Sequence, residues 1–175
     1  MNDGFGNFKF NDESIPDNFS SGMRVSSADF DKDGDLDLFV GGRVVPGNYP
    51  IPADSYLLIN NSSKDKISFT NADDSVFPYK DIGLVTSSVW ADYNNDSWPD
   101  LIVVGEWTPI IFYKNIEGSF SEDNSIIDKD STRGWWYDVV SEDFDNDGDL
   151  DFVVGNLGNN YKYQTSEEET FDIFY

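Results

Sequence analysis

The sequence predicts an all-β chain built from repeated four-stranded antiparallel units, and three observations carry that prediction. An acidic pattern occurs three times: "DFDKDGDLD" from residue 29, "DYNNDSWPD" from residue 92 and "DFDNDGDLD" from residue 143. Each copy leads straight into a short apolar run ending at or near glycine: "LDLFVGG" (36–42), "DLIVVGE" (100–106) and "LDFVVGN" (150–156). Runs this short, rich in Val, Ile and Phe, read as buried strands, and no stretch of the chain shows a helical period.

Taken in order, each unit supplies four strand signals. The first precedes the acidic loop, in "RVSSADF" (24–30), "SSVWADY" (87–93) and "YDVVSEDF" (137–144). The second is the apolar run. A third recurs in "SYLLINN" (55–61), "PIIFYKN" (109–115) and "FDIFY" (171–175). The fourth is weaker, in "KISFTN" (66–71) and "GSFSED" (118–123), and "GNFKFND" (6–12) matches it ahead of the first unit. The connections are rich in Gly, Pro, Asn, Asp and Ser, as turns require. The longest is "GGRVVPGNYPIPAD" (41–54). Four strands in roughly 50 to 60 residues is the content of a propeller blade. The chain is thus expected to form one partial β-propeller. Its parts are a last strand and linker (1–21), two blades (22–72 and 85–123) and an incomplete blade (134–175).

Composition limits the function. The net charge is −23, from 34 acidic against 11 basic residues, which argues against nucleic acid or an anionic membrane surface as partner. Aromatic residues make up 16% of the chain, far too many for a disordered acidic tail. With no cysteine and no histidine, disulfides, thiolate metal sites and a histidine base are excluded. No apolar run is long enough to span a membrane, and the first residues lack the apolar core of a signal peptide.

The acids are arranged for a cation. Carboxylates at positions 1, 3, 5 and 9 of a tight loop converge, and without a cation they repel one another at a cost of several kcal/mol. Only oxygen donors are on offer, which favours Ca²⁺, with Mg²⁺ as the fallback. In the first copy the side-chain donors are Asp29, Asp31, Asp33 and Asp37, with Asp35 giving its carbonyl. The second offers Asp92, Asn94, Asp96 and Asp100, with the carbonyl of Trp98; the third offers Asp143, Asp145, Asp147 and Asp151, with that of Asp149. Gly34 and Gly148 sit where the chain must bend, and Ser97 replaces glycine in the second copy. An EF-hand would need Glu at position 12, where this chain has Val40, Val103 and Val154. Solvated turns are the alternative, and three copies in one strand context favour the metal.

These copies resemble FG-GAP (or VCBS) repeats, which build the β-propeller at the head of integrin α chains and in many bacterial surface proteins. The resemblance runs over roughly residues 22–175, on the pattern D-x-D-x-D-G-x-L-D followed by a strand and glycine. It implies calcium at the same loop positions and an extracellular or cell-surface setting. The implied function is binding, adhesion or scaffolding without catalysis, with a protein or glycan as ligand. A polysaccharide-processing propeller enzyme is the alternative. About three blades would leave open ends, so pairing of two chains into a closed ring is a further expectation.

Two other features invite a ligand reading. Among Trp90, Trp98, Trp107, Trp135 and Trp136, blade packing is favoured over a sugar platform; of the adjacent Trp135 and Trp136, one should be core and the other available. Arg43 is expected to make an internal salt bridge.

Overall fold

The structure, a computed structural model, describes residues 2, 4–17 and 21–158. Its strands are β1 (Ser21–Ala28), β2 (Asp37–Val44), β3 (Tyr56–Asn60), β4 (Phe69–Asn71), β5 (Leu84–Ala91), β6 (Asp100–Thr108), β7 (Ile111–Ile116), β8 (Ser119–Glu122), β9 (Gly134–Glu142) and β10 (Asp151–Asn156). A single 3₁₀ turn, Lys129–Thr132, is the only helical element among the described residues. The fold is all-β, as the repeated apolar runs predict.

The first four strands form an antiparallel sheet in the order β1-β2-β3-β4. Strands β5 to β8 repeat that arrangement, and β9 pairs with β10. Strands β1, β5 and β9 lie side by side, and small polar residues join them. Ser26 and Ser88 share a hydroxyl–hydroxyl bond of 2.8 Å, and Thr86 Oγ1 donates to the carbonyl of Trp136 at 2.8 Å. These contacts fan the sheets around their first strands, as in a propeller.

β6 alternates strictly. Leu101 and Val103 enter a core shared with the first sheet, through Phe39, Leu57 and Phe77. Ile102 and Val104 face a second core with Val139, Phe152 and Val154. All four are at most 1% exposed, and burying a side chain of this size contributes about 1.5–3 kcal/mol. Phe77 organises the first core, meeting Phe39, Tyr113 and Phe120 edge-on at 6.0, 5.6 and 5.7 Å.

Two features depart from the sequence expectation. The second and third units are not separate sheets, because β6 continues past Val103, where its pairing with β7 ends, and takes up β9 at Glu106↔Trp135 and Thr108↔Gly134. Trp107 bulges out between those two pairs. The strand expected over 6–12 does not form; Phe8 makes only an isolated bridge to Asn2. Gly4 and Gly6 at φ +82° and +89° and the turn that starts at Asp12 leave too short an extended run between them. The third-strand signal at 171–175 lies outside the described residues.

The topology sorts the connections to two ends. The acidic loops join β1 to β2, β5 to β6 and β9 to β10 at one end. The β2–β3, β4–β5, β6–β7 and β8–β9 connections occupy the other.

Candidate metal centres

Each acidic loop is curled by two residues in the left-handed region. At position 6 stand Gly34 (φ +100°), Ser97 (+71°) and Gly148 (+100°), as the glycine pattern predicts. Position 4 does the same with Lys32 (+61°), Asn95 (+58°) and Asn146 (+62°). Asn tolerates this backbone and Lys does so less readily; sequence reasoning did not identify that second bend.

Side chains then fasten the loop to its own backbone. The first carboxylate, of Asp29, Asp92 or Asp143, accepts from the N–H of residue 34, 97 or 148 at 3.1, 2.7 and 3.0 Å. Asp31, Asn94 and Asp145 accept from the N–H two residues on, at 3.2, 2.9 and 3.2 Å. Asp33, Asp96 and Asp147 repeat this to Asp35, Trp98 and Asp149, at 3.1, 2.9 and 3.1 Å. These Asx turns spend one oxygen of each side chain on the backbone.

The last carboxylate comes from the start of the following strand. Asp37 and Asp100 are fully buried and accept from the N–H of Asn60 (2.8 Å) and Asn115 (2.7 Å). Asp151, half-buried, accepts from Phe144 N–H at 3.1 Å.

The structure brings two trios of carboxylates together. One oxygen each from Asp29, Asp31 and Asp37 lies within 4.8 Å of the others, and the same holds for Asp143, Asp145 and Asp151. Asp33, Asp35, Asp147 and Asp149 are outside these trios. The second loop is arranged differently: Asn94 Nδ2 donates to Asp100 Oδ2 at 3.0 Å, and Lys114 Nζ lies 3.6 Å from Asp96.

At the first loop the fit to a cation rests on unsatisfied oxygens. Asp29 Oδ1, Asp35 Oδ1 and Asp37 Oδ2 are buried without a hydrogen-bond partner. Burial pushes the Asp37 carboxyl up to about 6, opposed by the Asn60 N–H and reinforced by Asp31. Asp100 is likewise pushed up to about 6 by burial, against the Asn115 N–H and with Asp96 adding repulsion. Asp35 is raised by desolvation and then by Asp33, Asp31 and Asp29; Asp149 is raised chiefly by Asp147. The gathered carboxylates repel one another, and a hard divalent cation would relieve that repulsion.

The family model for the FG-GAP-like repeat matches residues 92–154. That stretch is similar to an FG-GAP-like repeat. No curated protein matches it. The matched FG-GAP-like segment starts at the first aspartate of the second loop and holds the second and third loops with β6 to β9. The first loop lies outside that match and repeats its pattern by sequence and geometry.

Sequence reasoning missed Asn60 and Asn115. Asn115 is fully buried; its Nδ2 donates to the carbonyls of Phe30 (2.8 Å) and Pro99 (3.0 Å), and its Oδ1 accepts from Gly118 N–H (2.8 Å). One side chain thus ties the first loop to the second. The available signal was an Asn at the end of the third-strand segment in both "LLINN" and "IFYKN". A second link is Lys32, whose Nζ sits 4.1 Å above the Trp98 ring.

The other tryptophans divide as packing requires. Trp90 stacks on Phe30, and Trp136 joins the second core. Trp135 is half-buried, with its ring 4.9 Å from that of Trp107. Arg43 forms the internal ion pair, with the buried Glu106.

Proposed function

We propose that this chain is a calcium-stapled propeller segment of a secreted or cell-surface protein, working as a binding, adhesion or scaffold module and not as an enzyme. The observation that carries the calcium reading is that two members of the converging first-loop trio, Asp29 and Asp37, each bury a carboxylate oxygen without a partner. Buried polar atoms without partners are rare and need a reason. Asp29, Asp31, Asp33 and Asp37, with Asp35, would hold the first ion. Asp92, Asn94, Asp96, Asp100 and Trp98 would hold a second, and Asp143, Asp145, Asp147, Asp149 and Asp151 a third. Bound calcium would supply positive charge and oxygen coordination, stapling each first strand to its second. An extracellular setting fits this reading, since the weak calcium sites of extracellular modules fill where calcium is millimolar.

Calorimetric titration of the metal-free chain tests the reading. The expected result is saturable Ca²⁺ binding at the three loops, with Mg²⁺ a weaker competitor. Asp37→Asn, which keeps an acceptor for the Asn60 N–H, should weaken binding at the first loop about tenfold or more. No calcium heat, or unchanged affinity in Asp37→Asn, would overturn it.

A further inference from the structure

At the end opposite the acidic loops, the β4–β5, β6–β7 and β8–β9 connections enclose a groove of about 430 Å³. Lys80, Lys129 and Arg133 line it beside the acidic Asp81 and Glu122, in a molecule of net charge −23. Lys129 is fixed by Glu122 at 2.6 Å, and Lys80 pairs with Asp74 at 2.7 Å. Arg133 is held loosely, with Nε 3.9 Å from Asp130 and its side chain 59% exposed.

Tyr79 and Trp107 supply aromatic wall. Trp107 is placed at a backbone cost: it is the bulged residue of β6, at φ +60°. A bulky residue there is an outlier that its surroundings must impose, and bulges re-aim side chains at sheet ends. Thr108, next to it on the groove wall, is 7% exposed and its Oγ1 has no hydrogen-bond partner.

We propose that this groove binds a small sugar carrying a carboxylate, with Arg133 and Lys80 meeting the carboxylate and Trp107 or Tyr79 lying against the ring. The volume is in the range of small-ligand sites. Guanidinium recognises a carboxylate through paired hydrogen bonds, and aromatic rings cover the apolar face of a sugar. A long polyanion would be repelled by the rest of the surface, whereas a single carboxylate can be met by Arg133, the groove cation held least tightly by its acidic neighbour. An acidic peptide is disfavoured because the groove is lined largely by connections, and β8, the edge strand that reaches it at Glu122, already gives its Phe120 and Glu122 N–H groups to Val76 O and Tyr79 Oη. The proposal rests on the binding-module reading above and is independent of the calcium reading.

Digalacturonate, titrated into the full chain in calcium and followed by calorimetry and tryptophan fluorescence, tests it. Saturable binding is expected, weakened about tenfold or more by Arg133→Ala and by Lys80→Ala. The neutral disaccharide lactose should not saturate under the same conditions. Unchanged melting of both variants in calcium shows that a lost signal belongs to the groove and not to the loops. The proposal is overturned by no saturable digalacturonate binding or by equal binding of lactose. It is equally overturned by unaltered affinity in both variants, or by saturation with an aspartate-rich peptide in place of the sugar.

Discussion

The Asn115 side chain donates to one carbonyl in the first acidic loop, that of Phe30, and to one beside Asp100 in the second, that of Pro99. Its backbone N–H holds the Asp100 carboxylate. Replacing it by Ala keeps that backbone bond and orphans two carbonyls and the Gly118 N–H, all at a buried position. We expect Asn115→Ala to cost roughly 2–4 kcal/mol and to weaken calcium binding at the first and second loops together, leaving the third unchanged. The equivalent Asn60 reaches Leu36 O, Ser62 N–H and the Asp35 side chain, all within its own unit, so Asn60→Ala should cost less, about 1 kcal/mol. Denaturant unfolding of both variants checks this; equal costs would contradict the bridging role. The carboxylates were legible in the sequence because they are close along the chain. Asn115 was not, because Phe30 is 85 residues away and only blade packing brings it near.

At the scale of elements, the second loop is the outlier of the three. Asn94 removes a charge, its amide occupies Asp100 Oδ2, and Lys114 stands beside Asp96. Ser97 holds φ +71° without glycine's freedom. This loop should be the weakest calcium site. Ser97→Gly is expected to stabilise the fold by up to about 1 kcal/mol by relieving the left-handed strain, and Asn94→Asp to tighten calcium at that loop. Thermal melting and titration of the two variants measure these effects, and a tighter second loop in the unaltered chain would sink the ordering. Strand content was readable where a strand is a local apolar run, as in β2 and β6. It misled at 6–12, where Gly4 and Gly6 break the extended run that the alternation suggests. The β6–β9 pairing had no local signal, because it depends on β6 continuing beyond its partner β7, through the Trp107 bulge, to meet a strand more than 25 residues on.

Across the whole molecule, 34 acidic residues must coexist with 11 basic ones. Asp37 and Asp100, both pushed up to about 6, bind a proton more tightly folded than unfolded. Between about pH 4 and 6 the metal-free native state therefore carries more protons, and its stability falls as pH rises through that window. Asp123, held low by Ser125, acts the other way, and only below the ordinary carboxylate range. With calcium bound the slope reverses, since the cation requires ionised ligands and acid displaces it. The most direct measurement is the melting temperature of the chain in calcium, in excess chelator, and after calcium or magnesium is returned. The account predicts a large fall in chelator at neutral pH, partly recovered by acidification to pH about 5 and fully by Ca²⁺, with Mg²⁺ less effective. An unchanged melting curve in excess chelator would contradict it.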